Sequence, residues 1–188
     1  VKKDIKITGG GNLILGSESF KNAELKGNTG DGSSITYELT GGATMANTNS
    51  NRYFRWTTVG AYVAKGVTLC LSVMYKPVSG ADEFCMEIAY TAGYSTSQSW
   101  ATIKPTDQLE IEQTDGWVLR YGLWTPPDNA TLKLVDMGSG TTHAGTGNYT
   151  NKFSLLHPML QYGNAPTAWN ASSGDYLTQE SAKSLFSQ

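Results

Sequence analysis

The chain has 188 residues, a formal net charge of −2 and a sequence pI of about 5.7. With no run of Lys or Arg, it lacks the electrostatic driver for binding nucleic acid or an anionic membrane. Its longest apolar stretch, Val67 to Tyr75, is too short and too interrupted to span a bilayer as a helix. Trp, Tyr and Phe make up 11% of the residues and Gly contributes 21, a profile of short strands joined by turns and too apolar for disorder. The length suits one β-rich core able to fold alone. No initiator Met and no signal-peptide core stands at the start, so Val1 reads as a cut within a longer protein or after processing.

In chain order, β-branched and aromatic runs predict strands over Asn12 to Leu15, Ile35 to Leu39, Arg52 to Thr58, Val67 to Lys76 and Glu83 to Thr91. Four more follow at Gln108 to Gln113, Trp117 to Trp124, Thr131 to Asp136 and Lys152 to Leu160. Dense turn signals separate them, among them Gly9 to Gly11, Gly27 to Gly32, Gly41-Gly42, Thr125 to Asn129 and Gly138 to Gly140. The one helical pattern is Thr178 to Phe186, where Thr178 can cap and Leu177, Ser181 and Leu185 recur on one face. Short strands without βαβ alternation predict an all-β fold, an antiparallel β-sandwich of jelly-roll type over residues 1–177, with a short C-terminal helix or linker at 178–188.

Strand alternation then divides side chains between core and surface. In Trp117 to Trp124 the larger set, Trp117, Leu119, Tyr121 and Leu123, is assigned inward, which sends Arg120 and Trp124 outward. Phe84, Met86, Ile88 and Tyr90 point inward against Leu69, Leu71, Val73 and Tyr75, leaving Cys85, Glu87 and Ala89 outside. Trp56 and Trp169 are assigned to the core. The last strand is ambiguous: Phe153, Leu155, His157 and Met159 share one phase, and Ser154, Leu156, Pro158 and Leu160 the other. Pairing Val67 to Lys76 with Glu83 to Thr91 as a hairpin sets Cys70 and Cys85 two ladder pairs apart, too far for a disulfide, so both are read as reduced.

Two terminal motifs add a different kind of information. Residues 12–20 read Asn-Leu-Ile-Leu-Gly-Ser-Glu-Ser-Phe, and residues 159–169 read Met-Leu-Gln-Tyr-Gly-Asn-Ala-Pro-Thr-Ala-Trp, followed by Gly174-Asp175-Tyr176. Together they resemble the opening and the ending of jelly-roll modules, similar to carbohydrate-binding modules, found in bacteriophage tail and baseplate proteins. The sequence departs from that pattern at Gly16, where Asn is usual, and at Gln161, where Glu is usual. The resemblance covers Asn12 to Tyr176. It implies a non-enzymatic module of a virion, assembled in the bacterial cytoplasm, whose partners are a bacterial surface polysaccharide and other tail or baseplate subunits in a symmetric oligomer. A structural spacer within the tail, or a binding module attached to a carbohydrate-active enzyme, are the competing readings.

Sugar recognition needs a flat aromatic face for the apolar side of a pyranose and planar polar groups for its hydroxyls. The candidates are Trp124, Arg120, Glu87, Arg55 and His157 on strands, with Tyr94 and Trp100 from a Ser/Thr/Gln-rich stretch, Thr91 to Trp100, read as a binding rim. A surface ion pair between Arg120 and Glu87 is an equally good reading of those two. No nucleophile elbow, P-loop or zinc-protease motif occurs. His143 and His157 have no ligand partner at metal spacing, so no metal or other cofactor is expected, apart from Asp31 or Asp175 as candidates for a structural calcium. A glycosidase needs two carboxylates across a cleft, and Glu87 with Glu110 or Glu112 is one conceivable pair.

Overall fold

The computed structural model describes residues 11–28, 32–141 and 147–172. Its eleven strands are β1 (Glu24–Asn28), β2 (Ser34–Tyr37), β3 (Ala43–Thr57), β4 (Tyr62–Val63), β5 (Leu69–Gly80), β6 (Phe84–Ala92), β7 (Gln98–Ile103), β8 (Leu109–Glu112), β9 (Val118–Trp124), β10 (Ala130–Ser139) and β11 (Tyr149–Tyr162). Every pairing between them is antiparallel. The predicted helix, Thr178 to Phe186, lies outside the described residues, as do Asp31, His143 and Asp175.

Two layers form, and β3 belongs to both. Its C-terminal half, Asn51 to Thr57, lies between β1 and β10 in sheet I, which continues through β6 to β7 and carries β4 at the end of β10. The N-terminal half, from Ala43, lies between β2 and β11 in sheet II, which continues through β5 and β9 to β8. The change of layer falls at Asn49, whose φ of 48° an Asn tolerates better than most residues. Around it a buried polar cluster replaces ladder bonds. Asn47 Nδ2 donates to Asn151 Oδ1 at 2.9 Å, Ser50 Oγ donates to Asn47 Oδ1 at 3.2 Å, and Asn151 Nδ2 donates to Ser139 Oγ at 2.8 Å.

The core lies between the layers. Trp56 and Phe54 from β3 meet Phe20 edge-on, both with ring centroids at 4.9 Å, and Tyr75, Phe84 and Phe153 form a second aromatic cluster. Close approach of the sheets requires Gly122, because a Cβ there would stand 2.4 Å from Ile103 Cγ2.

The two terminal motifs meet in space. Asn12 is buried: its Nδ2 donates to the Pro158 and Asn170 carbonyls at 2.9 and 3.0 Å, and its Oδ1 accepts from Leu160 N at 3.1 Å. Gln161, at the position where Glu is usual, donates to the Ala165 carbonyl at 2.8 Å and accepts from the Thr167 hydroxyl at 2.7 Å, which closes the Gly163-Asn164 turn. Gly16, the other departure, has φ 72° and a Cβ there would stand 3.0 Å from Asn22 Cβ.

Several expectations need correction. The proposed hairpin does not exist, because β5 pairs with β9 and β11 while β6 pairs with β7 and β10. Cys70 and Cys85 therefore sit in different sheets, both free and buried. The phase of β9 is inverted: Val118, Arg120, Gly122 and Trp124 face inward, and Leu123 is 41% exposed on the outside with Leu119 and Tyr121. Trp117 is half-buried beside Lys76 rather than in the core. The ambiguity of the last strand resolves into two phases. A bulge at His157-Pro158 shifts the register, so Phe153 and Leu155 face the core before it, and Leu160 after it. Glu24 to Asn28, Tyr62 to Val63 and Gln98 to Ile103 are strands where none was expected, and Asn12 to Leu15 forms only a bridge at Ile14.

Candidate ligand-binding face

The outer face of sheet I gathers charged and aromatic side chains in rows set by register. One row runs Glu24, Arg55, Asp136, Glu87 and Thr102 across β1, β3, β10, β6 and β7. The neighbouring row on one side holds Thr57, Leu134, Ala89 and Trp100; on the other side it holds Lys26, Tyr53, Gly138 and Cys85. Small residues on the two middle strands, Ala89 and Gly138, leave room for larger side chains from the flanking strands to lean over them. A Cβ at Gly138 would stand 2.4 Å from the Arg52 carbonyl oxygen.

Arg55 is the centre of this face. Its Nε and Nη2 donate to the two carboxylate oxygens of Asp136 at 2.8 and 2.7 Å, the bidentate geometry that the planar guanidinium favours. Asp136 is completely buried, whereas the Arg55 side chain keeps 18% exposure. The guanidinium carbon lies 5.2 Å from the Trp100 ring centroid and 5.7 Å from that of Tyr53. Strands β3 and β7 are separated by three strand spacings, about 14 Å, so Arg55 and Trp100 reach toward each other over β10 and β6 and roof the acidic groups below. The hydrogen bonds to Asp136 are the main cause that raises the Arg55 pKa, burial opposing them. Beneath this layer Glu87 is wholly buried and accepts from the Thr102 hydroxyl at 3.3 Å.

Of the residues singled out in the sequence, Arg55, Glu87 and Trp100 converge here and the other four do not. Arg120 points between the sheets, with Nε donating to Glu110 at 3.0 Å and Nη1 to Asp82 at 2.9 Å, and its guanidinium carbon 3.9 Å from the Tyr75 ring centroid. It closes one edge of the core and forms no pair with Glu87. Trp124 packs inward on Tyr90 with centroids at 4.6 Å, so neither is an outer platform. Tyr94 is fully exposed on the turn between β6 and β7. His157 lies on sheet II, stacked on Trp169, which is half-buried and outside the core. The sequence reasoning missed Tyr53, Asp136 and Thr102. Tyr53 follows from Arg55 by alternation, and an Asp inside the run Leu134-Val-Asp-Met137 signals a buried partner cation, since an unpaired carboxylate is too costly there. Among the described residues no group of three or more His, Cys, Asp or Glu could hold a metal ion.

The polypeptide course is similar to that of solved carbohydrate-binding modules and of phage tailspike and baseplate proteins. A tailspike protein 4 enzymatically active domain of bacteriophage CBA120 aligns at 11% identity with a TM-score of 0.48, over 81% of this chain and 21% of that one. This chain thus spans about a fifth of the tailspike chain. A CBM22-1 xylan-binding domain of Paenibacillus barcinonensis Xyn10C aligns at 15% identity and a TM-score of 0.43, over 84% and 99%. The tripod from the bacteriophage Tuc2009 baseplate aligns at 12% identity and 0.43, over 89% and 60%. No family model matches the sequence, and no curated protein does.

Proposed function

We propose that the chain is a non-catalytic glycan-binding module of a phage or prophage tail or baseplate protein, and that it holds a saccharide of the bacterial surface on the outer face of sheet I. The observation that carries this is the fixed guanidinium of Arg55. Asp136 takes two of its nitrogens, Tyr53 and Trp100 flank it, and Nη1 has no hydrogen-bond partner among the described residues. Such a group donates to sugar hydroxyls without losing side-chain entropy on binding, while the indole offers a flat apolar surface for a pyranose. Each copy would bind weakly, and a symmetric tail would raise the strength by presenting many copies at high effective concentration.

The test is binding of surface polysaccharide from bacterial strains, measured by calorimetry and on glycan arrays with the wild type and Trp100→Ala. Expected is a Kd in the micromolar to millimolar range, about −4 to −8 kcal/mol, insensitive to salt and abolished by the substitution. No binding to any surface glycan, or binding that Trp100→Ala leaves intact, overturns the proposal. One observation favours the spacer reading: Leu109, Ile111 and Leu123 are each more than 40% exposed on the outer face of sheet II, an apolar surface suited to contact with a neighbouring subunit.

A further inference from the structure

A separate hollow lies on the outer face of sheet II. It begins with the bulge in β11, which places His157 at φ 57°, a backbone conformation costly for a non-glycine residue. The imidazole is thereby laid against Trp169, with ring centroids at 4.5 Å and planes 13° apart. Trp169 is fixed in turn by Nε1, which donates to the Pro158 carbonyl at 3.1 Å. Beside this stacked pair is a hollow of about 170 Å³. Met74, Leu119 and Met159 give it an apolar floor in which buried Ser72 supplies a hydroxyl, and exposed Gln113 supplies an amide at its margin.

The chemistry of the lining narrows what fits. No Asp, Glu, Lys or Arg contributes to it, and burial lowers the His157 pKa, which keeps the ring neutral at pH 7. A charged ligand would lose hydration with no opposite charge to replace it. The volume is below the roughly 300–1,000 Å³ of sites that enclose drug-sized ligands, so it admits one ring rather than a chain. A ring apolar all round would leave the Ser72 hydroxyl and the imidazole nitrogens without partners, at a desolvation cost. A ring with one apolar face and hydroxyls at its perimeter satisfies floor, wall and margin together.

We propose that this hollow is a second saccharide site, which takes a single uncharged pyranose against the His157–Trp169 wall. It shares no residue with the face of sheet I, and it makes the module bivalent: two sugars of different chains, or of one branched chain, are held on opposite sides of the sandwich.

The experiment uses the whole chain labelled with ¹³C at the methionine methyls, titrated with glucose, galactose, N-acetylglucosamine and glucuronate. Expected are saturable shifts of the Met74 and Met159 methyl signals with at least one of the neutral sugars, and at least tenfold weaker binding of glucuronate. His157→Gly removes the wall while relaxing the positive φ, so the fold is kept and the neutral sugar should bind tenfold or more weakly. Trp100→Ala should leave these shifts as they are, which separates the outcome from that of the sheet I site. The proposal is overturned if none of the neutral sugars gives saturable shifts, if the shifts survive His157→Gly, or if glucuronate binds equally well.

Discussion

Replacing Arg55 with Met should be far more damaging than its partial exposure suggests. The substitution keeps most of the aliphatic stem, so the packing between Tyr53 and Trp100 is largely retained and the lost item is the cation. What remains is Asp136, 0% exposed, with both oxygens deprived of the guanidinium donors at 2.7 and 2.8 Å. Breaking a buried ion pair from one side typically costs about 3–5 kcal/mol, and at about 2–4 °C per kcal/mol for a chain of this size the melting temperature should fall by roughly 6–20 °C. Adding Asp136→Leu removes the buried carboxylate that has lost its guanidinium partner, so the double variant should recover to within about 1 kcal/mol of the wild type. Urea titrations followed by tryptophan fluorescence measure all three proteins. If Arg55→Met alone costs less than about 1 kcal/mol, the pair behaves as a solvated surface bridge and the reasoning fails. The recovered double variant should still bind no glycan, which would separate the stability of this face from its recognition.

Two further outcomes follow from burial. Trp56→Ala, at a fully buried site against Phe20 and Phe54, should cost about 3–5 kcal/mol, whereas Trp117→Ala, half-buried on the outside, should cost less than half of that; denaturation midpoints decide. Burial pushes the Cys70 and Cys85 thiols up to about 12, so neither should alkylate in the native protein at pH 8, and both should do so in denaturant without reductant; rapid native labelling of either would contradict the packing.

Local alternation disclosed the inward faces of β5 and β6 and the core position of Trp56, because most of the large apolar residues of those strands share one phase. It failed in β9, where both phases carry large side chains. Size favoured Trp117, Leu119, Tyr121 and Leu123, yet Arg120 is the one that turns inward, its charge met by Asp82 and Glu110 from elsewhere in the chain. The bulge at His157 was invisible for a related reason, since each half of β11 follows its own phase. At the candidate site, outward residues of β3 and β6 were legible one strand at a time. That Arg55 would find Asp136 depends on β10 lying between them, a long-range pairing that periodicity does not encode.

The shared strand β3 has a mechanical consequence. In a sandwich whose layers are joined only by loops, one sheet can peel from the other while each keeps its own ladder. Here peeling must also tear the backbone bonds on both edges of β3 and pull apart the Asn47, Ser50, Asn151 and Ser139 cluster at its corner. Load applied to either layer is therefore carried by both, and the domain yields as one unit under tension.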